Sequence, residues 1–253
     1  KSLGQNFLID KNISNKIVKL VNNFEKKNII EIGPGTGALT EIIYKKEPKK
    51  LILIEKDKFL YNRLIKKYKN NKSIEIYNLD ALKFDFSKIN KPKSIIANLP
   101  YNISIKLIIN WIKNISDFDE IVVMIQKEVA QKMIYKKTNK MNRLNVLTAI
   151  TSNFKIEFNV SKNVFFPKPK VDSSVIKLTH NNRQNYNFLK LENFTRILFR
   201  YKRKKLHNVL PSEIFNILKL KKNSFNLNDI QNSRAEDLTL DNIIIIFKAF
   251  SQI

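Results

Sequence analysis

A cluster of glycines constrains this chain more than any other feature of its sequence. The protein contains four glycines, and three of them fall between Gly33 and Gly37. Glycine tolerates positive φ angles and lets a ligand approach the main chain closely. The apolar run before the cluster, residues 29–32, predicts a buried strand, and the residues after it have helical spacing. The cluster is therefore predicted to form the strand–turn–helix connection at which an α/β sheet binds a nucleotide.

The glycine spacing alone leaves the class of nucleotide open. Gly33-x-Gly35-x-x-Ala38 satisfies the relaxed dinucleotide fingerprint. Glu31 and Gly37 extend it to acid-x-Gly-x-Gly-x-Gly, which resembles the first motif of S-adenosylmethionine-dependent methyltransferases. In that interpretation the loop passes under the methionine and ribose parts of S-adenosyl-L-methionine. A nicotinamide dehydrogenase and a tight turn without any ligand remain as alternatives.

Composition restricts the class of protein further. A chain of 253 residues with 43% hydrophobic content suits one large domain, or one domain with an appendage. It has no cysteine and only two histidines, so a thiol nucleophile or a zinc site lacks ligands and we expect no metal. No apolar run approaches the ~20 residues of a membrane span, and no signal-peptide core is present. We therefore expect a cytoplasmic protein without a membrane partner.

The charge of the chain indicates a polyanionic partner. The formal net charge is +25, and nucleic acid is the commonest polyanion that proteins bind. The abundance of Lys, Asn and Ile also fits drift in an AT-rich genome, so clusters of arginine carry more weight than the lysine total. One predicted helix places Arg196, Arg200 and Arg203 opposite an apolar face. This stripe favours contact with phosphate over a simple solvated face.

Two acids follow the next two predicted strands. The strand at residues 50–55 ends in Glu55, about twenty residues beyond the glycine loop, where an acid commonly binds ribose hydroxyls. The strand at residues 74–77 is followed by Asp80. An aspartate at such a place is often a helix cap. Two acids on consecutive strands beside one glycine loop nevertheless favour the rim of a binding site.

The most informative stretch follows the fourth predicted strand. Pro100 biases Leu99 toward an extended backbone, which leaves the Leu99 carbonyl free to face a ligand. Asn98 adds an amide oxygen and Tyr101 adds a flat ring. Two acceptors that hold the hydrogens of a nucleobase amine favour a pyramidal nitrogen whose lone pair points at a sulfonium methyl group. Catalysis would then rest on positioning and electrostatics. The alternative is an Asn-x-Pro turn with a surface tyrosine.

These motifs resemble those of the KsgA-type small-subunit ribosomal RNA adenine N6-dimethyltransferases, nearly from end to end. The matching segments are residues 4–8, 31–40, 80–81, 98–104 and 165–173. The resemblance implies cofactor contacts at Asn6, Leu8, Gly33, Gly35, Glu55, Asp80 and Asn98. It implies a target-adenine site formed by Asn98, Leu99, Pro100 and Tyr101, with Phe165 as a second aromatic face.

The resemblance also implies the fold and the reaction. We expect a Rossmann-like α/β methyltransferase sheet, mostly parallel with an antiparallel last strand, and a small all-α C-terminal domain. Residues 1–180 would form the S-adenosylmethionine-binding catalytic domain, and residues 181–253 the helical RNA-contacting domain. The expected activity is transfer of methyl groups to N6 of two adjacent adenines near the 3′ end of small-subunit ribosomal RNA. A monomer would act on the immature small ribosomal subunit.

Two other functions share this fold. An Erm-type large-subunit ribosomal RNA methyltransferase has the same chemistry, but the sequence at residues 33–37 and Leu99 favour the small-subunit family. A non-catalytic assembly or transcription factor would be favoured by an altered motif at residues 98–101, and that motif is intact. The loop at residues 136–144 lacks the usual glycine turn of the family. Within it, Arg143 is expected either to contact RNA phosphate or to solvate the loop.

Overall fold

The chain divides into two compact units. The computed structural model describes residues 6–181, 186–201, 203–220 and 226–253. One unit comprises Lys1–Gln131 and Ser152–His180, and the other comprises Lys132–Thr151 and Asn181–Ile253. The prediction placed every residue up to 180 in the first domain, whereas in the structure Lys132–Thr151 belongs to the second unit. Residues 182–185 of the predicted linker lie outside the described residues, as do Gly4, Gln5 and Lys202.

A mixed sheet forms the first unit. Its described strands are β1 (Phe7–Leu8), β2 (Asn28–Ile32), β3 (Lys50–Glu55), β4 (Ile74–Asn78), β5 (Lys93–Asn98), β6 (Glu120–Gln126), β7 (Ser152–Val160), β8 (Phe165–Phe166) and β9 (Ser173–His180). Seven of them pair in the order β4-β3-β2-β5-β6-β9-β7, and β1 pairs separately with β8. Strands β2 to β6 pair in parallel, whereas β9 is antiparallel to β6 and β7. The predicted parallel sheet with an antiparallel last strand is confirmed.

The central strands are buried along nearly their whole length. In β2 and β5 the apolar side chains are almost completely inaccessible, as Ile30 and Ile95 show. Strands that are buried on both faces have continuous apolar sequences, which is why the sequence predicted them well. The edge strand β7 has an alternating burial pattern instead. The sheet thus provides a rigid base whose strand ends position the polar residues.

Helices flank the strands in the first unit. They are α1 (Lys11–Val18), α2 (Thr40–Tyr44), α3 (Lys58–Tyr68), α4 (Tyr101–Lys113) and α5 (Lys127–Met133), the last of which ends in the second unit. Short 3₁₀ turns occupy Phe24–Lys26, Ala81–Lys83, Phe86–Lys88, Ile115–Asp117 and Lys162–Val164. Asp10 caps α1 and Asp57 caps α3, each accepting two backbone N–H groups of the first turn. Side-chain caps therefore fix where these helices begin.

The described part of the second unit is helical. It contains α6 (Arg143–Thr151), α7 (Phe188–Leu198), α8 (Ser212–Leu220), α9 (Leu227–Asn232) and α10 (Leu240–Phe250), with 3₁₀ turns at Leu206–Asn208 and Ala235–Asp237. Phe194 packs against Phe247 and Phe250, with ring centroids 5.5 and 5.3 Å apart. No helix within the described ranges is long and apolar enough to cross a membrane.

The predicted arginine stripe is wrong as a single helix face. Helix α7 ends at Leu198, so Arg200 and Arg203 lie beyond it. The apolar spacing continues in sequence to Tyr201, but this side chain is 42% exposed. The Arg200 guanidinium instead lies 5.2 Å from the centre of the Tyr201 ring. Arg196 donates to the Asn193 side chain at 2.8 Å.

Arg143 also has a defined partner. Its guanidinium is 2.9 Å from the carboxylate of Glu192, and this ion pair joins α6 to α7. Both side chains are little more than one-third exposed. Neither of the two roles expected for Arg143 therefore describes the contact that the structure shows. This pairing also gives a reason why the segment before β7 belongs with the C-terminal helices.

Candidate active site

A cleft lies at the carboxyl ends of the parallel strands. Ile32 at the end of β2 is in register with Ile54 of β3 and with Ala97 of β5. The loops that follow these strands therefore meet at one edge of the sheet, where α/β proteins bind ligands. The predicted residues that line the cleft are Asn6, Leu8, Gly33, Gly35, Glu55, Asp80, Asn98, Leu99, Pro100 and Tyr101. The structure thus brings together every predicted site residue except Phe165.

The glycine loop adopts a conformation that side chains disfavour. Gly33, Gly35 and Gly37 have φ angles of +63°, +58° and +92°. A Cβ atom on Gly35 would lie 3.1 Å from the ring of Phe7, whereas one on Gly33 would have no neighbour within 4 Å. Gly35 is therefore required by close packing as well as by its φ angle. Gly33 borders open space that a ligand can occupy.

Glu55 ties the glycine loop to the end of β3. Its carboxylate accepts the Gly35 N–H at 3.0 Å and the Asp57 N–H at 2.9 Å. The residue is only 3% exposed, and burial raises the pKa of its carboxyl group. A carboxylate has about four acceptor positions, so acceptor capacity remains for the hydroxyl groups of a ribose.

Asp80 combines the two roles that the sequence left open. One carboxylate oxygen caps the short turn after β4, accepting the Leu82 N–H at 3.0 Å. The other pairs with the Lys56 ammonium group at 2.9 Å. The hydrogen bond from Lys56 lowers the pKa of Asp80, so this carboxyl group stays ionised at the rim of the cleft. Asp80 is therefore both a cap and a residue of the cleft wall.

Asn98 is held by the N-terminal segment. Its side-chain amide donates to the Asn6 carbonyl at 3.0 Å, so the amide oxygen is left as the acceptor. The neighbouring Leu99 N–H donates to the Met124 carbonyl at 3.1 Å, which continues the sheet by one residue. Helix α4 then begins with a bond from the Ile103 N–H to the Pro100 carbonyl. The Leu99 carbonyl thus lies between the end of the sheet and the start of the helix ladder.

Tyr101 is a wall of the cleft and not a surface side chain. It is half-buried, and its hydroxyl lies 2.8 Å from the hydroxyl of Ser173, the fully buried first residue of β9. Burial raises the pKa of the Tyr101 phenol, so it stays neutral at physiological pH. The hydrogen bond to Ser173 holds the hydroxyl end of the Tyr101 ring, and it thereby sets the orientation of the ring face.

The second aromatic face predicted at Phe165 stays a prediction. Phe165 is 3% exposed and packs in the core opposite Leu8, whereas Phe166 is 70% exposed. Neighbouring residues of a strand point to opposite faces, and here only the face of Phe165 is buried. The buried one is Phe165, and its ring is not part of the cleft wall. Phe165 pairs with Leu8, which does line the cleft.

Glu31 and Phe7 belong to the cleft although neither was singled out as a site residue. Glu31 is fully buried in β2, and burial raises its pKa to about 8. Its Oε2 atom has no hydrogen-bond partner among the described residues. Phe7 packs over the glycine loop. The position of Glu31 within an apolar strand was a signal visible in the sequence, but no local pattern indicated Phe7.

The cleft is lined by carboxylates, amide oxygens, the main chain of the glycine loop, and the aromatic rings of Phe7 and Tyr101. Within the described ranges, no group of three or more His, Cys, Asp or Glu side chains is placed to hold a metal ion. Acids at the ends of β3 and β4 suit the hydroxyl and amine groups of a nucleoside. Asn98 and Tyr101 suit a second flat group that carries an amine. The cleft can therefore hold a nucleoside cofactor and a nucleobase next to each other.

This sheet order, with its glycine loop after β2 and its single reversed strand, defines a Rossmann-like methyltransferase domain. The family described as ribosomal RNA adenine dimethylase matches residues 1–252. The protein is 44% identical over 216 residues to ribosomal RNA small subunit methyltransferase A of Malacoplasma penetrans, covering 84% of this chain and 78% of that protein. The chain therefore belongs to the ribosomal RNA adenine dimethylase family.

Solved structures agree with this assignment. A dimethyladenosine transferase from Plasmodium falciparum superposes with a TM-score of 0.79 at 28% identity, covering 97% of this chain and 98% of that one. The 23S rRNA methyltransferase ErmE superposes with a TM-score of 0.73 at 20% identity, covering 98% and 100%. The second likeness shows a shared fold. The predicted fold class and the predicted family are both confirmed.

Proposed function

We propose that this protein uses S-adenosyl-L-methionine to dimethylate N6 of two adjacent adenines near the 3′ end of small-subunit ribosomal RNA. One observation carries the proposal: the segment Asn98–Tyr101 and the glycine loop line the same cleft. Relatives named for small-subunit methylation support this choice of RNA over the large subunit. We propose that the enzyme acts as a monomer in the cytoplasm on the immature small subunit.

The residues of the cleft fit S-adenosylmethionine. Glu55 would accept the ribose hydroxyls, and Asp80 would accept an amine of the adenine ring. The open space at Gly33 gives room for the methionine part, beside Gly35, Asn6 and Leu8. Glu31 has an unpartnered buried oxygen beneath this region, which a donor group of the ligand could satisfy. When bound, the cofactor supplies a methyl group on a positively charged sulfur.

The residues Asn98–Tyr101 would hold the target adenine. Tyr101 stacks on the base, while the Asn98 Oδ1 atom and the Leu99 carbonyl accept the two hydrogens of its N6 amine. These contacts draw the nitrogen lone pair out of conjugation and direct it toward the methyl group. They also stabilise the positive charge that develops on nitrogen until the methylated amine releases a proton to solvent. Pro100 keeps the two acceptors in place, so most of the acceleration comes from positioning.

The second unit is proposed to contact RNA phosphate. Arg200, Arg203 and Lys204 follow helix α7 in sequence, and Lys204 lies 4.8 Å from the Tyr201 ring centre. A run of cations next to an exposed aromatic ring is typical of single-strand contacts. The base itself must be unpaired or turned out of a helix to enter the cleft, which loops of ribosomal RNA allow.

Mass spectrometry of ribosomal RNA tests the activity directly. Immature small subunits and large subunits are incubated separately with the protein and S-adenosylmethionine carrying an isotope-labelled methyl group. We expect labelled N6,N6-dimethyladenosine at two adjacent positions of small-subunit RNA. Label in large-subunit RNA would instead favour the Erm-type activity. Cofactor binding without label in either RNA would favour a non-catalytic RNA-binding factor.

Substitutions at Tyr101 and Asp80 distinguish the proposed target-adenine site from the proposed cofactor site. Tyr101→Ala should lower kcat on small subunits by about a hundredfold, because the base is no longer oriented. Its affinity for S-adenosylmethionine, measured by calorimetry, should change less than about twofold. Asp80→Ala should show the opposite pattern and weaken cofactor binding by about tenfold. Equal turnover of Tyr101→Ala and wild type would contradict the stacking role.

A further inference from the structure

Phe166 is an exposed aromatic ring that the proposed chemistry does not use. It is 70% exposed, next to the buried Phe165 in the two-residue strand β8. A ring that is exposed to this extent contributes little packing energy to the fold. Its two neighbours in the motif, Phe165 and Pro169, are buried and supply the packing there. We therefore looked for a function of the exposed Phe166 ring in binding.

Phe166 lies next to the wall of the cleft. It is the direct β-ladder partner of Phe7, and partners in an antiparallel pair project from the same face. Phe7 lines the cleft and packs near Gly35. The segment after Phe166 returns to the cleft at Ser173, whose hydroxyl contacts Tyr101 at 2.8 Å. Both ends of residues 167–172 are therefore attached to residues of the cleft wall.

Lysines accompany this ring. Lys168 and Lys170 are exposed on either side of the buried Pro169. Lys162 donates to the Lys170 carbonyl at 3.5 Å, and its own N–H donates to the Asp172 carboxylate at 3.0 Å. A shallow depression beside them is lined by Lys127, Lys162, Lys170, Glu128, Val171, Asp172 and Gln131. Three lysines and two acids thus line this depression, and Asp172 is engaged in a backbone contact.

We propose that Phe166, Lys168 and Lys170 bind a nucleotide that neighbours the target adenine in single-stranded RNA. The base of that nucleotide stacks on the Phe166 ring, and the two lysines contact its phosphates. Aromatic rings that alternate with cations bind single strands without strict sequence preference. This contact rests on the proposed function, because it places the RNA on the side of the cleft formed by Phe7 and Tyr101. A strand held there enters the cleft with its phosphates fixed on either side of the target.

Phe59 provides a matched control. It is also 70% exposed, but it lies on helix α3 and does not line the cleft. The variants to compare are Phe166→Ala, Phe166→Trp and Phe59→Ala. Two measurements apply to each: the KM for immature small subunits, and the Kd for a single-stranded RNA that carries 2-aminopurine next to the target adenine. The fluorescence of 2-aminopurine falls when the base stacks on a ring.

We expect Phe166→Ala to raise both KM and Kd about tenfold and to abolish the fluorescence change. Phe166→Trp should restore all three values, and Phe59→Ala should match wild type. The kcat at saturation and the affinity for S-adenosylmethionine should stay the same in all variants. If Phe166→Ala behaves like Phe59→Ala, the proposal is overturned. A loss of cofactor affinity in Phe166→Ala also overturns it, because the ring would then act by supporting Phe7.

The lysines are tested by salt dependence. The double variant Lys168→Ala, Lys170→Ala should reduce the slope of log Kd against log salt by about 1.4, since each phosphate contact to a single strand contributes about 0.7. The control is Lys66→Ala, Lys69→Ala, which removes two exposed lysines at the end of α3. Equal slopes for the two double variants would contradict the phosphate contacts.

The outcomes separate this proposal from the proposed function. If the wild-type protein methylates neither ribosomal RNA, the proposed function fails, while the 2-aminopurine signal still reports whether Phe166 binds RNA. If the wild type methylates small subunits but no 2-aminopurine signal depends on Phe166, only the present proposal fails. In that case we would infer that Phe166 contacts a protein of the small subunit, and crosslinking at position 166 would identify that contact.

Discussion

Glu31 places a carboxylic acid in the middle of a buried apolar strand. Burial raises its pKa to about 8 from an ordinary value of 4.5. At neutral pH the folded protein therefore holds this group mostly protonated, as a neutral side chain at the base of the cleft. A protonated carboxyl group can donate as well as accept a hydrogen bond. A ligand that prefers the ionised form would have to displace this proton when it binds.

This burial makes the stability of the protein depend on pH. Between pH 4.5 and about 8 the folded state keeps the Glu31 proton and the unfolded state loses it, so stability falls as pH rises. Glu31→Gln cannot ionise in either state and should lack this dependence. We expect the unfolding free energy of wild type to fall relative to the variant by on the order of 1 kcal/mol per pH unit.

Urea unfolding of both proteins at about pH 5 and about pH 8 measures this difference without cofactor. Other titrating groups are common to the two proteins and cancel in the comparison. A constant gap between wild type and Glu31→Gln across this range would show that Glu31 is not held neutral.

Single residues differ in how far their roles could be predicted. Asn98, Glu55 and Asp80 were predicted as site residues because each lies at the carboxyl end of a predicted parallel strand, and such strands end at one edge of the sheet. Phe165 was assigned from the motif alone. A two-residue strand gives no periodicity that distinguishes a buried ring from an exposed one, so the face of Phe165 depended on long-range pairing with β1.

At the scale of elements, the N-terminal strand and the glycine loop depend on each other. Gly33 and Gly35 have nearly equal φ angles, but only Gly35 faces the Phe7 ring at 3.1 Å. Alanine at either position incurs about 1–2 kcal/mol of backbone strain. Gly35→Ala should therefore destabilise the protein more than Gly33→Ala, because its Cβ also displaces the ring.

Thermal unfolding without cofactor compares the two alanine variants. Adding Phe7→Ala to Gly35→Ala should recover the excess loss, whereas adding it to Gly33→Ala should only lower stability further. Coupling between Phe7 and Gly35 is expected because the two residues are in contact. Additive effects in both pairs would contradict the packing of Phe7 on the loop.

Elements with long apolar runs were the most predictable. The predicted strands at residues 50–55 and 74–77 match β3 and β4 closely. Helix α7 was predicted too long, because Tyr201 continues the apolar spacing although its ring is not buried. Periodicity reports which residues can form a face, but the end of a helix depends on what that face contacts.

At the scale of the whole molecule, the charge of +25 should dominate RNA binding. We expect log Kd for a single-stranded ribosomal RNA fragment to rise linearly with log salt, with a slope near 0.7 for each phosphate contact. Six or more contacts would then weaken binding at least about a hundredfold between about 50 mM and 200 mM salt.

Fluorescence anisotropy at several salt concentrations measures this slope. Cofactor affinity, measured by calorimetry in the same buffers, serves as the control and should change little. A slope below about 1.5, equivalent to about two contacts, would indicate that the lysine excess reflects composition and not RNA binding.

The division into two units was only partly visible in the sequence. Strands alternate with helices up to His180 and stop there, which indicated a boundary. The segment Lys132–Thr151 interrupts this pattern, yet it belongs with the C-terminal helices. Its assignment depends on contacts such as the ion pair between Arg143 and Glu192, which lie far apart in sequence. No local pattern reports such a contact.

The direction of β9 has a consequence for how the cleft is built. The last residue of each parallel strand lies at the edge of the sheet that forms the cleft, and its first residue lies at the opposite edge. Strand β9 runs the other way, so its first residue, Ser173, reaches Tyr101. Because of this one reversal, the connection from β7 that carries Phe166 ends at Ser173, at the edge of the sheet where the cleft lies. If β9 were parallel to β6, Ser173 and the segment before it would lie at the opposite edge of the sheet, away from the cleft.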